Sequence, residues 1–443
     1  MIRRMSRIVL CALAALAGTA ACARAELLIN GKAVLGDYCI AAPGVYEITG
    51  EAEDVQLCIR APEQGEVTLL LRGARWNCAR GAAVLAQSGS VTIELQAGSS
   101  SLSGGSEAEP AAIYAMDDLV LRCGGALNID GTFKNGVECR DDLTIHSGQL
   151  NVSAVWDGIR GRDNLTVRSG EIRIDAGNDG LKANNDEEPE LGNVQLFGGQ
   201  ITMAVGDDAV HAEGKAEMTG GELTIERCFE GIEGSSVHIA GGRIRIAADD
   251  DGINSTGELA DAKIMGGDIR VDANGDGIDS AGAVVLGGGT LVINGTTSPR
   301  NSALDYLETS WAEGSTLFAC GSAAMAQAPK SIGNCSTLRI YFDQMQCAGQ
   351  LISASDAQGN WLFAFAPLKD YQAVVIAHPL LEQGKTIAIH RGGSAQGLAP
   401  GDAMTGGEVQ GAVRLCEVTL DDVRVSVDER GNPCDFVPNA FGW

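Results

Sequence analysis

The sequence has few basic residues for its length, and this scarcity argues against functions that require a basic surface. Its 443 residues contain 32 Lys and Arg against 58 Asp and Glu, for a net charge of −26 at pH 7. Sequence-independent binding to nucleic acid needs a basic face, which a chain this acidic does not offer. Aromatic residues make up only 5%, so few rings are available to stack on a ligand. The composition instead favours acidic surfaces that attract cations.

Long apolar runs are missing beyond the N terminus, so the mature chain is predicted not to span a membrane. Residues 1–25 combine a basic start, MIRRMSR, with the apolar stretch IVLCALAALAGTA and end on Ala-Arg-Ala before Glu26. This order is typical of a cleaved secretory signal peptide. We therefore expect a secreted or cell-envelope protein, with a lipoprotein anchored at Cys22 as the alternative.

No two cysteines have the Cys-x-x-Cys spacing, which argues against a zinc ribbon or a thioredoxin-like redox motif. The chain has 13 cysteines, and removal of Cys11 and Cys22 with the leader leaves 13 − 2 = 11. An odd number cannot pair completely within one chain, so at least one thiol is free or intermolecular. Export would permit disulfides, but the residues alone leave their connectivity open.

Glycine, by contrast, is abundant, and it occurs in a repeat. Eight glycines each begin a short alternating segment, from GALNI at Gly125 to GTLVI at Gly289, at intervals of 21 to 29 residues. A second motif runs in phase with the first and consists of an acid or Asn, then Gly or Ala, then an apolar residue. Alternation with period 2 indicates β-strands. A shared period of about 22 residues predicts one coil of a parallel β-helix per repeat.

The repeat predicts an organisation for the whole chain, in the all-β class. We expect a signal peptide at 1–25, a parallel β-helix with irregular N-terminal coils at 26–310, and a C-terminal β-strand region that caps the last coil at 311–443. The longest interval contains NNDEEPELG, which predicts a loop at 184–192. One interior column should contain the apolar residues of the second motif, namely Ile159, Leu181, Val210, Ile232, Ile253 and Ile278.

Six of the seven copies of the second motif begin with an acid, which stacking turns into a ladder of carboxylates. Charges about 5 Å apart repel by roughly 0.8 kcal/mol per pair in water, so the ladder should bind cations or hold protons. Ligands that are all oxygen favour Ca²⁺. The alternative is ordinary turn chemistry, in which Asx side chains bond the local backbone, and Asn135 and Asn178 fit it equally well. The predicted calcium ligands are Asp157, Asp179, Asp207, Asp208, Glu230, Glu233, Asp250, Asp251, Asp276 and Asp279.

A polar column is predicted on the outward side of the strand that follows the motif, and it changes from basic to acidic along the stack. It is either a track that contacts a sugar polymer or an ordinary solvated face. Trp156 and Phe229 share one register and could stack on sugar rings, although Trp156 could equally pack at a corner. The candidate polysaccharide-binding residues are Trp156, Arg160, Lys182, His211 and Phe229.

Several segments occur in a characteristic order: AAIYAMDDLVL, NGVECRDDLTI, DGIRGRDNLTV, NDGLKANND, FEGIEG, DDDGINS, GDGIDSAG, SALDY, AMAQAP and LKDYQAVVI. In sequence and order they resemble the secreted carbohydrate-binding domain-containing proteins. That resemblance implies a right-handed parallel β-helix similar to pectate lyases, which binds calcium and polysaccharides such as cellulose and pectin without established catalysis. It also implies that the motif acids bind calcium. The chain departs from the family pattern at Asn135, at the Ala that follows Asp208, and in its eleven mature cysteines.

The leading hypothesis is therefore non-catalytic, calcium-dependent binding of an extracellular polysaccharide. One alternative is a polysaccharide lyase of the pectate type, in which Arg160 or Lys182 would be the base beside Ca²⁺. Another is a structural or adhesive surface solenoid that serves only as a spacer. A glycosidase is disfavoured because the many acids define no specific catalytic pair.

Overall fold

The structure, a computed structural model, describes residues 26–188, 190–258 and 260–434. Every regular element in these ranges is a β-strand, which confirms the predicted all-β class. Within the same ranges, no helix has the length and apolar character needed to cross a membrane. The predicted signal peptide at 1–25, with the lipoprotein alternative at Cys22, lies outside the described residues.

An antiparallel hairpin covers the N-terminal end of the solenoid. Leu27–Ile29 pairs with Lys32–Val34 on one side and with Gly44–Ala52 on the other. The Asn30-Gly31 turn has φ angles of 50° and 73°, as the tight two-residue hairpin turn requires, and Asn-Gly is the sequence that best adopts it. Leu27 is fully buried, so the hairpin closes one end of the apolar core.

The solenoid has about 11 turns, and its parallel strands form three faces. Face 1 includes the apolar residue that ends the second motif, face 2 follows it along the chain, and face 3 returns to the next motif. The strands of face 1 are Tyr38–Ile40, Leu57–Arg60, Val84–Ser88, Ala111–Ala115, Asn135–Cys139, Ile159–Gly161, Leu181–Ala183, Ile253–Ser255, Ile278–Ser280 and Leu304–Tyr306. Two strands continue from face 1 into face 2: Val210–Met218 and Ile232–Ile239.

Faces 2 and 3 complete each coil in the same parallel arrangement. Face 2 contains Val91–Leu95, Asn164–Val167, Asn193–Leu196, Asp261–Ile264, Ala283–Leu286, Ser310–Ala312 and Lys330–Ser331. Four strands bend from face 2 into face 3: Gly44–Ala52, Val67–Cys78, Leu119–Gly131 and Asp142–Ala154. Face 3 contains Ser99–Gly104, Glu171–Ala176, Gln200–Val205, Glu222–Cys228, Arg243–Ala248, Asp268–Ala273, Thr290–Asn294 and Thr316–Gly321.

The interior of face 1 is the predicted apolar column. Each member pairs in register with the next coil's member, and all are buried. Because in-register parallel stacking places like residues above like, the sequence period becomes a continuous column of side chains. The column contains Ile159, Leu181, Val210, Ile232, Ile253 and Ile278, as predicted.

The predicted loop at 184–192 leaves the coil between Leu181–Ala183 and Asn193–Leu196. Asn185 anchors it, because this buried side chain donates from Nδ2 to Asp163 Oδ1 at 2.7 Å. Asn185 Oδ1 also accepts the backbone N–H groups of Glu187 and Glu188. The insertion therefore adds a turn at the surface without changing the stack.

Mostly antiparallel strands replace the coils at the C-terminal end, although Cys335–Gln346 pairs parallel with Arg424–Asp428. Thr316–Gly321 pairs antiparallel with Tyr371–Glu382, and Phe318 on its outer side is buried 5.3 Å from Phe363, measured between ring centroids. A second apolar core therefore lies outside the last coils, while the division of the chain at residue 310 stays a prediction. The strands here are Cys335–Gln346, Ile352–Ser355, Trp361–Ala366, Tyr371–Glu382, Thr386–Arg391, Ser394–Ala395, Asp402–Thr405, Val409–Gln410, Val413–Thr419 and Arg424–Asp428.

Candidate metal centre and polymer-binding face

The acids of the second motif lie in the turn between face 3 and face 1, where they form a hydrogen-bonded ladder. A side-chain oxygen of one coil accepts a backbone N–H from the next coil. Asp179 Oδ1 accepts from Asp208 at 3.1 Å, and Asp251 Oδ1 accepts from Asp276 at 2.6 Å. Equivalent bonds join Asn135 to Asp157, Asp157 to Asp179 and Asp276 to Ser302. One oxygen of these acids thus stabilises the turn, and the second is left for another partner.

In the upstream coils, the second oxygen faces a basic side chain of face 1. Lys182 Nζ lies 2.5 Å from Asp179 Oδ2, and the Arg160 guanidinium lies 3.9 Å from Asp157 Oδ2. Burial lowers the pKa of Lys182, but the hydrogen bond to Asp179 and the negative charges of Asp179 and Asp157 together outweigh burial and leave the pKa above its usual value. Because each base is three residues after its acid, the two meet across the start of the strand. Asp179 therefore has a built-in counter-ion, whereas Asp157 Oδ2 has the Arg160 charge nearby but no hydrogen-bond partner among the described residues.

His211 is the third such counter-ion. Its Nδ1 lies 2.8 Å from Asp208 Oδ2 and 2.7 Å from Glu233 Oε2. Burial lowers the pKa of His211, but the two carboxylates raise it to about 10 overall, so the ring is an imidazolium at neutral pH. The same contact lowers the pKa of Glu233. The carboxylates of Asp179, Asp207 and Asp208 lie within 4.8 Å of one another, but two of these three already face a cation of the chain.

Further along the stack lies the downstream acid cluster, which we define as Asp250, Asp251, Asp276, Asp279 and Asp305. Carboxylate oxygens of Asp251, Asp276 and Asp279 lie within 4.8 Å of one another. Among the described residues, no Lys, Arg or His forms an ion pair within 4.0 Å of any member. Burial, together with the neighbouring carboxylates, raises the pKa of Asp276 to about 8 and that of Asp251 to about 6. The cluster therefore lacks positive charge.

The donor set of this cluster fits a hard cation, because every available ligand atom is a carboxylate oxygen. Asp276 is only 9% exposed, and its Oδ1 accepts the Ser302 N–H. The described chain provides no hydrogen-bond donor to Asp276 Oδ2. A largely buried carboxyl group is costly to ionise among other carboxylates, and a bound cation would lower that cost.

Glu230 lies between the upstream acids and the downstream cluster. Its Oε2 accepts a hydrogen bond from Asn254 Nδ2 at 2.9 Å. Burial raises the pKa of Glu230 to about 7, and the nearby acids raise it as well. An amide supplies a donor without a charge, so Glu230 is only partly compensated.

Sequence reasoning missed one member of the cluster, Asp305, which pairs in register with Asp279. The segment SALDY is a further copy of the motif in which Ser302 replaces the first acid, so alignment on the fourth position would have found Asp305. Sequence reasoning also missed a second acidic group in the turn between faces 1 and 2. The repeated DDL and DNL triplets signal it, and its carboxylates, within 4.8 Å of one another, belong to Asp118, Asp141 and Asp142.

The outward column of face 1 has the predicted order. Consecutive members pair in register from coil to coil, and the charge changes sign after His211. The column contains Arg160, Lys182, His211, Glu233, Asn254 and Asp279. Its basic members contact the ladder acids rather than standing free, which the sequence did not reveal. Their role toward a polymer stays a prediction.

Trp156 and Phe229 lie in one register of the turn, three coils apart. Backbone hydrogen bonds connect them through the intervening coils: Asn178 N–H to Trp156 O at 3.0 Å, Asp207 N–H to Asn178 O at 3.1 Å, and Phe229 N–H to Asp207 O at 2.9 Å. At the usual strand spacing, this places the two residues about 14 Å apart along the axis. Trp156 is 48% exposed and Phe229 is 45% exposed, so neither ring is packed into a corner.

Comparison with known proteins places these features among carbohydrate-binding chains. A family model described as carbohydrate-binding domain-containing protein matches residues 36–260 and 228–319, which together exceed half of the chain and include both the ladder and the column. A relative of the same description from Acetivibrio thermocellus is 30% identical over 126 residues, 26% of this chain and 44% of that protein. The chain thus spans less than half the length of this curated relative. A gadolinium derivative of the polysaccharide lyase-like protein from C. thermocellum is 29% identical, covers 46% of this chain and 88% of that chain, and gives a TM-score of 0.40.

Proposed function

Since this chain belongs to the family of carbohydrate-binding domain-containing proteins, we propose that it binds an extracellular polysaccharide in a calcium-dependent manner and does not cleave it. The polymer is a cellulose- or pectin-like chain, and the protein meets it after export by the N-terminal signal peptide. The polymer lies along the turn and the outward column of face 1, because the exposed rings and the downstream acid cluster are both on that side.

This proposal is based on the contrast between the upstream acids and the downstream acid cluster. Upstream, Asp179 and Asp208 face Lys182 and His211 at 2.5 and 2.8 Å. Downstream, the five acids of the cluster have no such partner among the described residues. Asp251, Asp276 and Asp279 are the residues that would hold Ca²⁺. Asp179 and Asp208 are thus paired with cations of the chain itself, so the proposed metal site is at the downstream end.

Bound calcium would also reduce the electrostatic repulsion between this negatively charged protein and a polymer of acidic sugars. A net charge of −26 repels a polymer of acidic sugars. Ca²⁺ takes six to eight oxygen ligands, and three close carboxylates leave positions for carboxylate or hydroxyl oxygens of a sugar. The bound ion supplies local positive charge, and the acids of this chain hold it in place.

The exposed rings supply the second part of the binding surface. Trp156 and Phe229 project from one turn register about 14 Å apart, which suits a polymer that follows the solenoid axis. Aromatic rings provide large apolar area at low conformational cost, and sugar rings offer apolar faces to stack on them. Because Asp207 lies between the two rings in the same register, a polymer that reaches both also passes over the acid ladder.

The surroundings of the two candidate bases favour binding over cleavage. A lyase needs a base that can lose its proton near neutral pH. Asp179 holds Lys182 protonated, so that its pKa is raised rather than lowered. Arg160 donates from Nε to Asn184 Oδ1 at 2.9 Å and faces Asp157. Both side chains are thus engaged in supporting the turn.

Retention on insoluble polysaccharides tests the proposal. We expect the protein to be retained on uronate polymer in calcium and released by chelator. The double variant Asp251→Asn/Asp276→Asn should lose this calcium dependence. The matched control Glu53→Gln/Glu408→Gln makes the same change in net charge at two exposed side chains outside both acidic groups and should behave as wild type. Retention that chelator leaves unchanged would refute the calcium part. Absorbance of unsaturated products would show a lyase, and no retention on any polymer would favour the spacer.

A further inference from the structure

Two cysteines stack directly on each other at the N-terminal end of face 1. Tyr38–Ile40 and Leu57–Arg60 are parallel neighbours, and Cys39 pairs in register with Cys58. Leu57 and Ile59 on either side of Cys58 point into the core, so both cysteines are on the outward side. Both cysteines are free thiols in the structure.

The geometry of this pair suits a disulfide. Neighbouring strands lie about 4.8 Å apart, and disulfides join cysteines whose Cα atoms are about 4.4–6.8 Å apart. The thiols already interact: burial raises the pKa of Cys58, and a hydrogen bond with Cys39 raises it further, to about 11. Tyr38–Ile40 is short and pairs with no other described strand, so it can make the small adjustment that a bond between the sulfurs needs.

We propose that Cys39 and Cys58 form a disulfide when the exported chain meets a protein or small-molecule disulfide oxidant. The thiolate of the exposed Cys39 attacks one sulfur of the oxidant, whose other sulfur leaves as a thiolate. The Cys58 thiolate then attacks Cys39 Sγ and displaces the oxidant's first sulfur. One S–S bond forms, the two cysteines lose two protons and two electrons, and the oxidant's disulfide becomes a dithiol. The bond links the first two strands of face 1, the first of which pairs with no other described strand.

Other cysteines of the strands have different neighbours at the corresponding positions. Cys78 pairs in register with Gly104, Cys139 with Ala115 and Gly161, and Cys320 with Asn294. None of these thiols has a cysteine beside it on the adjacent strand. These three cysteines therefore lack the neighbour that Cys39 and Cys58 have, and the proposed bond is independent of calcium and of polysaccharide binding.

Peptide mapping tests this proposal on the purified full-length chain. The chain is incubated with oxidised glutathione, alkylated in denaturant and digested with trypsin. Because no Lys or Arg lies between residues 33 and 59, both cysteines fall in one peptide, 33–60. We expect this peptide to carry no alkyl group, to weigh two hydrogens less than the reduced peptide, and to take two alkyl groups after reduction. The exposed-thiol control Cys347→Ser should give the same result.

The variants Cys39→Ser and Cys58→Ser should each leave one cysteine in that peptide, modified by the alkylating reagent or by glutathione. Two alkyl groups on the wild-type peptide, or a glutathione adduct that persists there, would overturn the proposal. A cross-link from either cysteine to another peptide would overturn it as well.

Discussion

Replacing Asp276 by Asn should stabilise the protein when calcium is absent. The pKa of Asp276 is about 8, against a usual value of 3.8, chiefly because the side chain is buried. One pKa unit corresponds to about 1.36 kcal/mol, so at pH 7 the raised pKa lowers the free energy of unfolding by up to about 4 kcal/mol, because the carboxyl group ionises readily only in the unfolded chain. Because nearby carboxylates contribute to this effect, we expect the free energy of unfolding of the Asn variant to be about 2–4 kcal/mol higher than that of wild type. Asn keeps an Oδ1 that can accept the Ser302 N–H, so the ladder stays intact.

The sign of the pH dependence follows from the raised pKa. An acid whose pKa is higher in the folded state favours folding below its unfolded pKa, and that contribution is lost as the pH rises through the folded value. In chelator, the free energy of unfolding of wild type should therefore fall between about pH 4 and pH 8. The Asp276→Asn variant should lose less over the same range. Denaturant titrations at several pH values measure both effects.

The variant Asp179→Asn is a control that should lower the free energy of unfolding, whereas Asp276→Asn should raise it. Lys182 Nζ lies 2.5 Å from Asp179 Oδ2, and the amide would leave this half-buried ammonium without its charged partner. We expect a loss of about 1–3 kcal/mol, with or without calcium. If Asp276→Asn also destabilises the protein in chelator, or if both variants respond alike, the distinction between upstream and downstream acids is wrong.

Three further perturbations test other parts of the account. Lys182→Ala removes the counter-ion of Asp179 and should add a weak calcium site beside that acid, seen as a higher stoichiometry in equilibrium dialysis; an unchanged stoichiometry would contradict the counter-ion role. Ile253→Ala leaves a cavity in the interior column and should lower the free energy of unfolding by about 2–5 kcal/mol, measured by denaturant titration; a near-zero change would contradict tight stacking. Trp156→Ala and Phe229→Ala should each weaken retention on polysaccharide while calcium binding, followed by calorimetry, stays as in wild type; unaltered retention would remove the rings from the binding surface.

Much of the fold could be predicted because a solenoid converts sequence period into spatial neighbours. Once Ile159 and Leu181 occupy the same phase of the repeat, in-register stacking places them in contact. The outward position of Arg160 follows from alternation in the same way. The location of the loop at 184–192 follows from the longest interval, because extra residues can only leave the coil.

The repeat period does not predict which acids of the site are paired with a basic side chain. Repeat phase places Lys182 on the outer side of face 1, but only the reach of its side chain brings Nζ back to Asp179. The burial that raises the pKa of Asp276 likewise depends on how the turn closes over it. Asp305 was missed because its copy of the motif lacks the first acid. Period predicts which residues are neighbours, but side-chain reach and burial decide which acids still need a cation.

Calorimetric titration of calcium tests the central claim most directly, namely that the downstream acid cluster binds the metal. The protein is freed of metal with chelator and titrated as wild type, as Asp251→Asn/Asp276→Asn, and as the control Glu53→Gln/Glu408→Gln, which changes two exposed acids. We expect a saturable heat for wild type and the control, and its loss in the first variant. Equal calcium binding by all three proteins, or no heat from wild type, would contradict it.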